Sequence, residues 1–160
     1  MEFQITKKAK NVTFGLMAVG LLLTIVGIAT TMGDHHFKTR FLASGLISGF
    51  FFFALGLGAL FFLSLQYATE TGWYASVKRV IEGVAGFLPY GMGVLGLVLL
   101  AITLNDGAHI YLWMDAKVVE HDEIIANKAA YLNPVFFWIR TLVYFATYII
   151  FLRGFQKRSA

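Results

Sequence analysis

Few residues in this chain could do chemistry, and most of them sit together. The stretch Asn105–Arg140 (NDGAHIYLWMDAKVVEHDEIIANKAAYLNPVFFWIR) holds two of the four histidines and five of the nine acids. Asp106, His109, Asp115 and His121 can carry protons or lock a loop, and Arg140 adds a cation that does not titrate. Upstream, Glu82 is the one carboxylate inside an apolar segment, and intramembrane acids are functional candidates by default. Lys78 and Arg79 precede it by one helical turn, so an interfacial ion pair is the first reading and a proton relay the second. Haem b needs axial ligands facing each other on spans, whereas His35, His36, His109 and His121 lie in loops or at a helix end, so no haem is expected in this chain. His35 and His36 beside Asp34 are a weak metal signal, and a solvated loop is the expectation. The chain has no cysteine, which removes disulfides, thiolate zinc sites and Fe–S ligation together.

The elements that must position these residues are apolar. Of the 160 residues 58% are hydrophobic and the mean hydropathy is +0.71, too apolar for a soluble domain to cover its own surface. Four runs near 12–32, 41–68, 80–104 and 134–152 have the length of membrane spans, roughly 20 residues each or more. The expected fold is therefore all-α: four transmembrane helices in a bundle within a single membrane domain, plus a short amphipathic helix near 115–128. Asp115 is the expected N-cap of that helix, and Val118, Ile125, Ala129 and Leu132 give it an apolar face. Asn133-Pro134 starts the fourth span, with Asn as cap and Pro in the first turn. Pro89 frees the carbonyl of Ala85 and predicts a kink in the third span. Gly45 and Gly49 form a GxxxG pair, and Gly83, Gly86, Gly93 and Gly96 run through the third span. Such glycines either let helices approach closely or reflect plain abundance in membranes.

Basic residues set the expected orientation. The N-terminus, second loop and tail carry eight Lys and Arg against four in the first and third loops, which places both termini in the cytoplasm. Trp113–Tyr131 then faces outward. Its polar face carries Glu120, Asp122 and Glu123 where a lipid-binding helix usually carries Lys and Arg. Those acids, with Trp113, are the expected docking surface for a partner subunit.

The segments GWYASVKRVIEGVAGFLP, HIYLWMD, VVEHDEII and NKAAYLNPVFFWIR, spread over Gly72–Arg153, resemble the F subunit of alternative complex III. That complex is a bacterial quinol:electron-acceptor oxidoreductase. The resemblance covers about half the chain, and Met1–Thr71 matches only in pattern. It implies a multi-pass subunit of the bacterial plasma membrane with no redox centre of its own. Such a subunit supports a quinol-oxidising membrane subunit, has a suspected part in proton movement, and lies beneath outer partners that hold haem c and Fe–S clusters. Family members are much longer, so this chain is expected to be an N-terminal part. Its first outer loop also lacks the long histidine-rich insertion common in relatives. Two other readings stay open: a structural anchor for outer redox subunits, and a small stand-alone transporter, against which the sparse intramembrane polar residues argue.

The orientation has a direct check. Cysteines introduced at Thr39 and Asn127 are expected to react with an impermeant thiol reagent in intact cells. Labelling only after lysis would reverse the topology.

Overall fold

The computed structural model describes residues 6–31, 36–70, 72–105 and 110–159. It divides into two compact units, Met1–Lys38 and Thr39–Ala160. All the regular elements among the described residues are helical.

The first unit is dominated by α1, Lys7–Thr31. Its side chains are exposed on every face, and Ile28 alone is half-buried among those described. A helix apolar all round has no stable surface in water. Three of its hydroxyls are satisfied within the helix: Thr13, Thr24 and Thr30 donate to the carbonyls of Ala9, Gly20 and Val26 at 3.0, 2.9 and 2.9 Å. That is the arrangement hydrocarbon demands, since no solvent there can take a donor.

The second unit begins with α2, Phe37–Thr69, whose 33 residues exceed what a bilayer core needs. Gly49, Phe53, Gly56, Leu60, Leu63 and Gln66 form its buried stripe, spaced three and four apart as one helix face. Glu70 closes the helix in the left-handed conformation, φ 49°, a position more often given to Gly or Asn. A single 3-10 turn, Trp73–Ser76, leads into the third span.

That span is broken, as Pro89 predicts. Helix α3 covers Lys78–Ala85 and α4 covers Leu88–Thr103, with Pro89 in the first turn of α4. The carbonyl of Ala85, four residues back, cannot be bonded by proline. The junction is instead tightened by Phe87 N–H donating to Val84 O at 3.1 Å and Tyr90 N–H to Phe87 O at 3.0 Å. The two pieces together run Lys78–Thr103, and the final helix, α7, covers Pro134–Ser159. Four helices are thus long and apolar enough to cross a membrane.

Glycine decides how α2 and α4 meet. A Cβ on Gly56 would lie 3.0 Å from Leu88 Cα, and one on Gly91 would lie 3.1 Å from Phe53 Cα. Both contacts are with backbone, which has no flexible end to give way. Gly45 and Gly49 continue the seam more loosely, facing Val98 and Leu95 at 3.5 Å. The GxxxG pair therefore packs a helix, while Gly83 and Gly93 have open space around them. Gly96 faces Phe145 of α7 at 3.6 Å. Gly91, unremarked in the sequence, makes the tightest approach on α4. The core that results contains Phe53, Leu60, Leu88, Met92, Leu95 and, from α7, Leu152.

Gly56→Ala and Gly91→Ala are expected to destabilise by about 1–3 kcal/mol, the usual range for overpacking. Gly93→Ala should stay within about 0.5 kcal/mol of wild type. Thermal unfolding in detergent separates the two groups, and equal behaviour would remove the seam's importance.

Candidate functional site

The segment between α4 and α7 is less regular than its periodicity predicts. In place of one helix near 115–128 there are two short ones, α5 (Ala116–His121) and α6 (Glu123–Ala126). Asp122 is the cause. Its backbone is extended, and its carboxylate accepts from Ile124 N–H at 2.9 Å and Ile125 N–H at 3.2 Å. An aspartate that caps a new helix ends the old one. The apolar positions Val118 and Ile125 thus belong to different helices.

Asp115 caps α5 as expected, accepting from Lys117 N–H at 3.0 Å. His121 ends α5, its Nδ1 lying 2.8 Å from Lys117 O. Asn133 caps α7, accepting from Phe136 N–H at 2.8 Å. Glu120 and Glu123 are exposed. Trp113 is half-buried, its ring 5.5 Å from that of Phe137 and 5.8 Å from that of Tyr111, so part of its surface is spent within this chain. Burial raises the Tyr111 phenol above its ordinary range. Asp34, His35, Asp106 and His109 lie outside the described residues.

Arg140 lies against aromatic rings. Its guanidinium lies 3.9 Å from the centroid of the Tyr131 ring and 4.9 Å from that of Phe136. Asp115 spends its carboxylate on the α5 cap, and among the described residues no ion pair joins it to Arg140. Aromatic faces attract a cation through their quadrupole, strongly where water is scarce. Tyr131 is a partner that sequence spacing alone does not reveal. It precedes Arg140 by nine residues, and only the turn at Asn133-Pro134 brings them together.

At the opposite end of the second unit, Glu82 pairs with Lys78, Oε1 to Nζ 3.9 Å, as the first sequence reading has it. Tyr67 from the end of α2 and Tyr74 from the 3-10 turn pack beside this pair, ring centroids 6.0 Å apart. Lys78 Nζ also sits 5.6 Å above the Tyr67 ring. Burial, then the neighbouring Tyr67 phenol, then the Glu82 charge push the Tyr74 phenol up to about 12. Tyr74 is only 7% exposed.

Two apolar hollows complete the picture. One, of about 480 Å³, lies between α2 and α3 over Gly58 and Val84. The other, of about 250 Å³, is ringed by aromatic side chains, among them Phe50, Phe137 and Tyr148. Neither gathers polar groups that would orient a substrate. No three His, Asp or Glu side chains gather as a metal site among the described residues.

These features define a class: a helical chain with four apolar spans, the make-up of a multi-pass membrane protein, whose polar side chains concentrate near span ends. Compared with family models, curated proteins and solved structures, the chain has no match.

The Arg140 contact can be measured. Tyr131→Leu is expected to cost about 0.5–2 kcal/mol, and to cost nothing further once Arg140 is already Leu. Additive losses in that double-mutant cycle would show that the ring and the guanidinium do not interact.

Proposed function

We propose that this chain is an integral subunit of a bacterial respiratory quinol:electron-acceptor oxidoreductase of the alternative complex III type. In this reading the four spans form a bundle in the plasma membrane with both termini in the cytoplasm. The chain supports a quinol-oxidising membrane subunit and carries no redox group itself. The Asn105–Asn133 segment lies on the outer face, beneath subunits that hold haem c and Fe–S clusters. The motif series over Gly72–Arg153 carries this reading. Two features of the molecule support it. α1 offers apolar surface on every side, which hydrocarbon or neighbouring spans must cover. Glu120 and Glu123 project from short capped helices between two spans, acidic where a lipid-bound helix is basic.

A purely structural role, anchoring outer redox subunits without moving protons, is the second reading. It is favoured by the hydroxyls of Ser64, Thr103, Thr141 and Thr147, which are bonded within their own helices.

Purification through a tag on this chain in mild detergent tests the assignment. Co-migration with subunits containing haem c and Fe–S clusters is expected, and a homo-oligomer without them would overturn it. The docking surface has its own check. Glu120→Lys with Glu123→Lys is expected to loosen the outer subunits at moderate salt. Asp122 is left in place, because its carboxylate holds α6 together. A complex unaffected by the double reversal would remove the docking role.

A further inference from the structure

Arg140 is a fixed cation on an apolar helix. Arginine keeps its charge in any protein setting, and a charge at membrane depth is expensive unless an anion accompanies it. The rings of Tyr131 and Phe136, 3.9 and 4.9 Å from the guanidinium carbon, attract the charge through their faces but carry no negative charge themselves. Nε is buried with no hydrogen-bond partner. Among the described residues no carboxylate pairs with Arg140. The residue as a whole is half-buried, so part of it stays open to its surroundings. Arg140 is the seventh residue of α7, about 9 Å along the axis from Pro134 at 1.5 Å per residue. Helix side chains lean toward the N-terminus, and both rings come from residues on that side, so its head is drawn back toward the start of α7.

The aromatic hollow of about 250 Å³ runs along the same helix. Phe137, Thr141, Tyr144 and Tyr148 form its α7 wall, spaced three and four apart on one helix face. Arg140 stands three residues after Phe137 and four before Tyr144, so it borders that face. Phe53 of α2 and Leu95 of α4 line the hollow from the other sides. Thr141 spends its hydroxyl on Phe137 O at 2.9 Å, which leaves the wall apolar there. Tyr144 is 57% exposed, so a chain can enter from the side. From Phe137 to Tyr148 the helix rises about 16 Å, close to half of a ~30 Å hydrocarbon core. The hollow thus has the length of one leaflet's acyl chain. Its volume lies below the roughly 300–1,000 Å³ of pockets that enclose a whole small molecule, which suits one slender chain with the rest of its molecule outside.

On its own an interfacial arginine only snorkels, and an apolar hollow takes any hydrocarbon. The two in register narrow the occupant to an amphiphile, with its anionic group toward the start of α7 and its chain running inward. We propose that Arg140 and this hollow form a binding site for an anionic phospholipid, the guanidinium holding the phosphodiester and one acyl chain lying against the α7 wall from Phe137 to Tyr148. The guanidinium's forked donors match phosphate oxygens. A headgroup of net charge −1 offsets the Arg140 cation, whereas a zwitterionic headgroup brings a cation of its own back beside it. The proposal rests on the membrane reading of the chain and not on its membership of a redox complex. Failure of co-purification therefore leaves it standing, and its own failure leaves the complex standing.

Native mass spectrometry of the full chain released from detergent provides the test, with phosphatidylglycerol, phosphatidylcholine of the same acyl chains, or inorganic phosphate added. Wild type is expected to hold one phosphatidylglycerol about tenfold more tightly than phosphatidylcholine, the size of effect that one charge-assisted contact gives. Arg140→Met should abolish that preference and leave phosphatidylcholine binding unchanged. Leu46→Trp, which fills the hollow from α2, should weaken both lipids. Equal retention of the two lipids by wild type, or a preference that survives Arg140→Met, would overturn the proposal. Inorganic phosphate that displaces phosphatidylglycerol at matched concentration would mark a site for free anions and overturn it as well. If Arg140→Met does not fold, the wild-type preference and Leu46→Trp decide: lipid binding unmoved by the filled hollow would overturn it.

Discussion

The close approach of α2 and α4 is the constraint on which the second unit depends. Gly56 and Gly91 bring a Cβ-less surface of each helix against the backbone of the other, at Leu88 and Phe53. In hydrocarbon there is no water to expel, so helices hold together by van der Waals contact, and contact requires small residues at the crossing. The crossing also sets the surroundings of the break at Pro89. Leu88, fully buried, sits both against Gly56 and at the start of α4. The joint between α3 and α4 is thus held at the point where α2 touches it. Phe53, on the other side of the seam, carries the packing to α7 through Phe145 and Tyr148.

Much of the fold was legible because bilayer thickness is a coarse ruler. Apolar runs of the right length became the four apolar helices, and Asn133, Pro89 and Asp115 acted as their local chemistry dictates. Asp122 was misread because helical periodicity counts apolar positions and ignores what a short carboxylate does to the amides two and three residues on. The spacing of Val118 and Ile125 fits one helix, but the two hydrogen bonds that Asp122 accepts favour two. Gly91 escaped notice because it belongs to no glycine repeat on its own helix. Its partner is Phe53, 38 positions earlier, and nothing local marks the meeting.

The candidate sites were less legible for a related reason. Sequence reasoning registers Arg140 as a cation and looks for charge around it. The structure stacks it on Tyr131, an aromatic residue whose polarity lies in its ring face. Glu82 and Lys78 were found, since a pair four residues apart is a local signal. Tyr67 and Tyr74 were not, because nothing local to either tyrosine marks the other until the turn at Trp73–Ser76 folds one ring against the other.

The hydroxyls within the spans carry a wider consequence. Ser64, Thr103, Thr141 and Thr147, like Thr13, Thr24 and Thr30 of α1, donate to carbonyls of their own helix four residues back. These hydroxyls close their valences within one helix and are not spent on bridges to a neighbour. Where α2 and α4 cross at Gly56 and Gly91, what holds them is shape. A contact of that kind is indifferent to ionic strength but responds to anything that changes lateral pressure, acyl-chain order or bilayer thickness. At that crossing, then, packing answers to the surrounding chains of lipid more than to salt.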